Sequence, residues 1–254
     1  MNLREIKEKL DYLSRLDWGF EYFGSKVHRY KLFPSLAVGE LAAFERKVAC
    51  ALPDDYRAFM TELGNGGAGP NYGLFPVGMQ HVGRSLMSWE RDGIGDLSKP
   101  FPHTGPWNLP SEFWAQQPDP DESTPLEEED RMNEEWDKKI EDAHYWRESL
   151  TDGAIPVSDL GCAGTQLLVI MGQESGFIWV DRRVDYEGIV PLVSETGERV
   201  TFAQWYMNWL DEGIRRFHGN PPVPPSPPSI VPGCSAGCSA PQDSDSADGI
   251  RKPS

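Results

Sequence analysis

Several groupings in this chain have residue types and spacings that can carry chemistry. Gly64-Asn65-Gly66-Gly67-Ala68-Gly69 matches G-x-G-x-x-G, the spacing of a dinucleotide pyrophosphate cradle. Such a cradle needs a strand before it and a helix N-terminus after it, so that backbone N–H groups and the positive end of the helix meet phosphate. Here a helical apolar period precedes the glycines and Pro70-Asn71-Tyr72-Gly73 follows, so the order is inverted and the segment reads as a turn. Glu141 and His144 offer two metal ligands on one helical face, but a di-iron bundle requires a second Glu-x-x-His and further carboxylates. No second one exists, which leaves a solvated ion-pair face. Cys234 and Cys238 lack the second pair or nearby histidine of a zinc site, and Cys50 and Cys162 read as small buried hydrophobes. Ser175, within Gly172-Gln173-Glu174-Ser175-Gly176, does not form the G-x-S-x-G elbow of hydrolases and reads as a turn serine. Trp179, Trp205 and Trp209 recur at strand and helix spacing, which suits core better than a ligand cage. No catalytic residue, metal ligand or cofactor is assigned, and the chain is expected not to be an enzyme.

What the chain does concentrate is negative charge. Its 254 residues carry 40 Asp/Glu against 24 Lys/Arg, a formal charge of −16. That balance argues against nucleic acid, whose phosphates need Lys and Arg, and against anionic membrane surfaces. Between Gln117 and Glu148 there are 13 Asp/Glu and 4 Lys/Arg, so nine of the sixteen net charges sit in one segment. Thr124-Pro125-Leu126-Glu127 reads as a capping box with proline at the first helical position, opening a helix to about Glu148. Leu126, Trp136 and Ile140 would anchor one side of it. Glu127, Glu128, Glu129, Asp130, Glu134 and Glu135 are the candidate contacts for a basic partner, which an acidic patch would steer toward itself.

The elements that must position this segment follow from periodicity. Leu3, Ile6, Leu10, Leu13 and Leu16 behind the N-cap Asn2 predict a first helix, and Leu36–Cys50 a second. In the third, Pro53 suits the first helical position and Asp54 and Asp55 the positive helix end. Tyr56, Phe59, Met60 and Leu63 form its apolar face, and Gly64 stops it. The turn Asn65-Gly66-Gly67 is expected to place Gly66 or Gly67 at positive φ. Gly73–Val77 reads as a short edge strand, because Pro76 cannot donate to a ladder. Ile155–Asp159, the apolar run Gln166–Met171, its return strand Phe177–Val180 and an edge strand Gly188–Val193 follow; Gln166–Met171 should be central and buried on both faces. A final helix opens with the capping box Thr201-Phe202-Ala203-Gln204. Helices, then strands, then a closing helix predict an α+β fold: a mainly antiparallel sheet with helices packed on one face, in a single domain with a helical acidic insert.

The block Leu52, Pro53, Tyr56, Phe59, Asn65, Gly66 and Gly67, preceded by Phe44-Glu45, resembles the SUKH superfamily pattern "fE…LP..Y..fl…NGG". The later hairpin region and the final helix that follows it, with Phe202, Trp205, Trp209 and Leu210 matching "sF..wl..wl", resemble that family's ending. Members of this superfamily include bacterial toxin-immunity proteins and yeast cell-wall assembly regulators. The resemblance implies an α+β domain over residues 1–219, with its core at 35–78 and 152–217 and an insert at about 79–150 that the plain pattern does not require. It implies a cytoplasmic protein-binding module, most simply an immunity protein neutralising a toxin, a nuclease among the options, through its basic surface. The alternative is a regulatory or scaffolding protein of the same family. The N-terminus has no apolar secretory segment, which agrees with a cytoplasmic setting. Residues 220–254 form a Pro/Ser-rich tail with little to bury. Deleting Pro221–Ser254 should leave the melting temperature within error, and a clear drop would show that the tail docks.

Overall fold

The computed structural model describes residues 1–82, 85–88, 94–162 and 164–218; the tail predicted from residue 220 lies outside the described residues. Within them the helices are α1 (Leu3–Leu16), α2 (Ser25–His28), α3 (Val38–Val48), α4 (Asp54–Ala58), α5 (Ser111–Trp114), α6 (Leu126–Asp142) and α7 (Phe202–Phe217). The strands are β1 (Met79–Val82), β2 (Ser85–Ser88), β3 (Ala154–Gly161), β4 (Gly164–Val169), β5 (Ile178–Arg182) and β6 (Gly188–Pro191). The fold is α+β, with β3-β4-β5-β6 forming an antiparallel meander and β1-β2 a separate hairpin.

Caps bound the two long helices that pack together. Asn2 Oδ1 accepts the Glu5 N–H at 3.2 Å to start α1, which buries Ile6, Leu10 and Leu13 against α7. Thr201 Oγ1 accepts the Gln204 N–H at 3.3 Å and Gln204 Oε1 accepts the Thr201 N–H at 2.9 Å, so the predicted capping box of α7 is formed. The N-terminus of α7 gains a further acceptor from outside: Asp55 Oδ2 takes the Ala203 N–H at 2.9 Å. Asp55 therefore offsets orphan N–H groups of two helices, its own and α7.

The third predicted helix is not one uniform α-helix. Pro53 is its N-cap, with extended ψ of 138°, rather than its first helical residue. After Ala58 the chain widens into a π-turn over Phe59–Leu63, closed by Gly64 N–H to Phe59 O at 3.1 Å. Thr61 Oγ1 donates to Arg57 O at 2.8 Å, a back-bond that accompanies this departure from α-geometry. The wider turn keeps Tyr56, Phe59 and Met60 all buried, with Tyr56 and Phe59 edge-on to Phe202 at 5.0 and 5.6 Å. Glu45 explains its place in the block: its Oε1 accepts the Leu52 N–H at 2.9 Å and lies 2.9 Å from Arg57 Nε.

The glycine turn is a rung between two backbones. Gly66 and Gly67 have φ of 85° and 102°. Phe33 N–H reaches Gly66 O at 3.0 Å, and Gly67 and Leu74 exchange both backbone hydrogen bonds at 2.8 Å. Asn65 Oδ1 accepts the Val77 N–H at 2.9 Å. A Cβ on Gly67 would lie 2.4 Å from Lys31 O, so the approach excludes any side chain. Gly73–Val77 does not form the predicted strand. Leu74 bridges Gly67 on one side and Ser158 of β3 on the other, and the Phe75 N–H donates to Val157 O at 2.9 Å, so Leu32, Gly67 and Leu74 continue the sheet by single bridges.

Both faces of the meander are covered, by different parts of the chain. Ile155, Val157, Leu168, Ile170 and Ile178 belong to the core shared with α1, α3, α4 and α7. Their alternate neighbours Ala154, Leu167, Val169, Trp179 and Ile189 pack with Phe101 and Trp107 of the insert. The run predicted as central, now β4, is buried on both sides for this reason. Pro156 sits where the β3–β4 register shifts, and Pro191 ends the edge strand β6. Trp179 lies on the face opposite Trp205 and Trp209, so the three do not form a cage. Cys50 is half-buried, with burial pushing its thiol pKa up, but Cys162 is exposed in the β3–β4 turn, contrary to its reading as a core residue. A turn residue at φ 49° faces solvent because both flanking strands end there.

Candidate protein-binding surface

Helix α6 is held by aromatic packing on its inner side. Trp136 and Ile140 are buried together with Tyr145, against Trp107, Leu109, Phe113, Trp114 and Tyr186. This cluster is tied to the edge of the sheet. Trp107 and Ile189 of β6 exchange backbone hydrogen bonds of 2.9 and 2.8 Å, and the Gly188 N–H donates to Tyr145 Oη at 3.1 Å. Desolvation pushes the Tyr145 hydroxyl pKa up to about 12, so it stays protonated. Beyond the helix, the Arg183 guanidinium donates to Tyr145 O and Arg147 O at 3.2 Å each and to Asp181 at 2.6 Å. The insert is thus clamped at both ends of its contact with β6, and α6 has a defined orientation.

Several local expectations for the helix change. Thr124 is not its N-cap; Pro125 is, and Thr124 Oγ1 instead accepts the Asp121 N–H at 3.1 Å in the turn before it. Leu126 is 78% exposed, so it anchors nothing. The helix ends at Asp142 rather than near Glu148, and His144 takes φ of 59° outside it, so Glu141 and His144 do not share a helical face.

The six candidate acids fall into three groups. Glu129 is half-buried, because it lies seven residues from Trp136 and shares its side of the helix. Glu128 and Glu135 flank Arg131, at 3.7 and 3.3 Å, and its guanidinium partly offsets the charge of both. Glu127, Asp130 and Glu134 are exposed and, among the described residues, have no ion-pair partner. They lie at i, i+3 and i+7, and Asp137 and Glu141 continue the same exposed side. The latter two were missed as candidates, although counting from Trp136 and Ile140 places them outward. Five exposed carboxylates, with the exposed Lys138 among them, therefore line a helix whose Trp136–Ile140 side is fixed to the domain. The arrangement attracts a cationic surface. Among the described residues no group of three or more His, Cys, Asp or Glu is placed to hold a metal ion, and no helix is long and apolar enough to cross a membrane.

No curated protein and no solved structure matches this chain significantly. A family-level comparison does match, over residues 36–199, which takes in Glu45, the Leu52–Gly67 block, the whole acidic insert and the four-stranded meander. The match covers more than half of the chain, and the chain belongs to the SMI1/KNR4 family (SUKH-1).

Proposed function

We propose that this protein is a cytoplasmic binding protein of the immunity type, which associates with a toxin domain and neutralises it by covering a basic surface. The observation that carries this reading is the unpaired row Glu127, Asp130, Glu134, Asp137 and Glu141 on a helix clamped to the sheet edge. Charge spread for solubility has no need of such a rigid mount, whereas a steering surface gains from it, since orientation decides how encounters become complexes. A nuclease toxin suits this surface, because a groove that holds phosphate is itself basic. The protein acts by binding and not by catalysis.

Changing Glu127, Asp130 and Glu134 together to Lys is expected to slow association with the cognate toxin domain about tenfold or more at low salt, and to flatten the salt dependence of the on-rate. Because all three are exposed, the melting temperature should stay within error. The same exchange at Glu128, Glu129 and Glu135 should do less, since two of these already face Arg131 and one is half-buried. An unchanged on-rate in the folded Glu127/Asp130/Glu134 variant would remove α6 from the interface.

A further inference from the structure

The sign of the surface reverses at the other end of the sheet. From Tyr22 to Gly39 the chain carries Lys26, Arg29 and Lys31 and no Asp or Glu, in a protein of net charge −16. All three cations are exposed, and among the described residues none is in an ion pair. They accompany a groove of about 260 Å³ lined by Val27, His28, Arg29, Lys31, Phe33 and Tyr72, with no acidic residue in its wall. Its floor is the Gly67–Leu74 rung that extends the sheet past β3, whereas α6 lies beyond β6, the opposite edge.

The groove has an apolar lip, and a buried histidine is part of its lining. Val27 is 59% exposed and Phe33 49%, and Tyr72 packs against the exposed ring of Phe23 at 5.0 Å. His28 is 8% exposed. Its Nδ1 accepts the Tyr30 N–H at 3.0 Å, which places the proton on Nε2, and Nε2 is buried with no hydrogen-bond partner.

We propose that this groove docks an acidic peptide segment of a protein partner, one apolar side chain seating between Val27, Phe33 and Tyr72 while flanking carboxylates meet Arg29 and Lys31. The volume suits one or two side chains and is below that of a drug-sized ligand site, which begins at roughly 300 Å³. Nucleic acid and anionic membrane would meet the same cations, but the whole-molecule field repels such extended polyanions, while a short peptide feels mainly the local charges. Peptide capture here is separate from the α6 contact: a partner needs an acidic tail for one and a basic face for the other.

The test uses the full-length protein and three fluorescein-labelled short peptides, read by fluorescence anisotropy. One has a central Phe flanked by Asp and Glu; the second replaces the Phe by Ala; the third replaces the acids by Lys. The acidic Phe peptide is expected to bind saturably, and each control to bind at least about tenfold more weakly. Arg29→Glu with Lys31→Glu should weaken the acidic peptide by a similar factor. Val27→Asp provides a second variant at an exposed position. The Glu127, Asp130 and Glu134 to Lys variant should bind it as tightly as the unaltered protein. No saturation up to about 1 mM, the weak end of measurable association, overturns the proposal. So do equal affinities for the three peptides, insensitivity to both groove variants, or sedimentation showing a second copy of the chain in the groove.

Discussion

Replacing Gly67 by Val is expected to cost about 3 kcal/mol or more of folding stability, the sum of left-handed strain on a β-branched residue and overpacking against fixed backbone. The position has φ of 102°, and its Cβ would stand 2.4 Å from Lys31 O and 2.9 Å from Leu32 Cα. Neither atom belongs to a side chain that can turn away. The carbonyl of Lys31 is also engaged, accepting the Ala68 N–H at 2.8 Å, so moving it breaks a hydrogen bond as well as the rung. Gly39→Ala is the control. Gly39 lies in α3 with nothing within 4 Å of its Cβ position, so alanine there should be neutral or stabilising by up to about 1 kcal/mol. Urea denaturation of both variants decides the matter. A Gly67→Val midpoint close to that of the unaltered protein would show that the turn can relax, and that the glycines are not what closes it.

Acidification should destabilise the domain through His28 before the carboxylates dominate. Burial lowers the His28 pKa from 6.5 to about 4, and attraction from the buried Asp17 carboxylate only partly opposes this. In the unfolded chain the imidazole titrates near 6.5, so between pH 6.5 and 4 the unfolded state binds the extra proton. The stability associated with neutral His28 is therefore complete above pH 6.5 and is lost as pH falls toward 4, by about 2–3 kcal/mol at pH 4.5. The geometry gives the reason: protonating Nδ1 removes the acceptor of the Tyr30 N–H, beside the Tyr30 hydroxyl that donates to Asp17 Oδ2 at 2.6 Å. His103 shifts in the same direction, chiefly through burial, and adds to the slope. Stability measured from pH 7.5 to 4.5 should fall less steeply in His28→Asn than in the unaltered chain. Parallel curves would show that His28 does not carry the effect.

The sequence alone determined the elements whose signals are local. Asn2 and the Thr201–Gln204 box set the starts of α1 and α7, because a cap and its N–H partners lie within four residues of each other. The order of β4 and β5 was legible from apolar runs around the Glu174–Gly176 turn, and the family from the Glu45-to-Gly67 block, because these depend on residue type and spacing alone. The concentration of charge in α6 was legible for the same reason.

Which acids face solvent was not. Glu129 turns inward, Glu128 and Glu135 meet Arg131, and Leu126 is left uncovered, because the rotation of α6 is set by Trp136 and Ile140 finding Trp107, Phe113 and Trp114, partners far away along the chain. The π-turn after Ala58 and the single bridges at Leu74 likewise answer to Phe202, Gly67 and Ser158 rather than to their own neighbours. His28 shows the divide most plainly. As a residue type it is an ordinary surface titrator; a backbone donor from Tyr30 and the packing of Trp209 at 5.6 Å make it a neutral buried one. Local sequence sets periodicity, caps and turns, while rotation, burial and ionisation depend on contacts that only chain closure brings together.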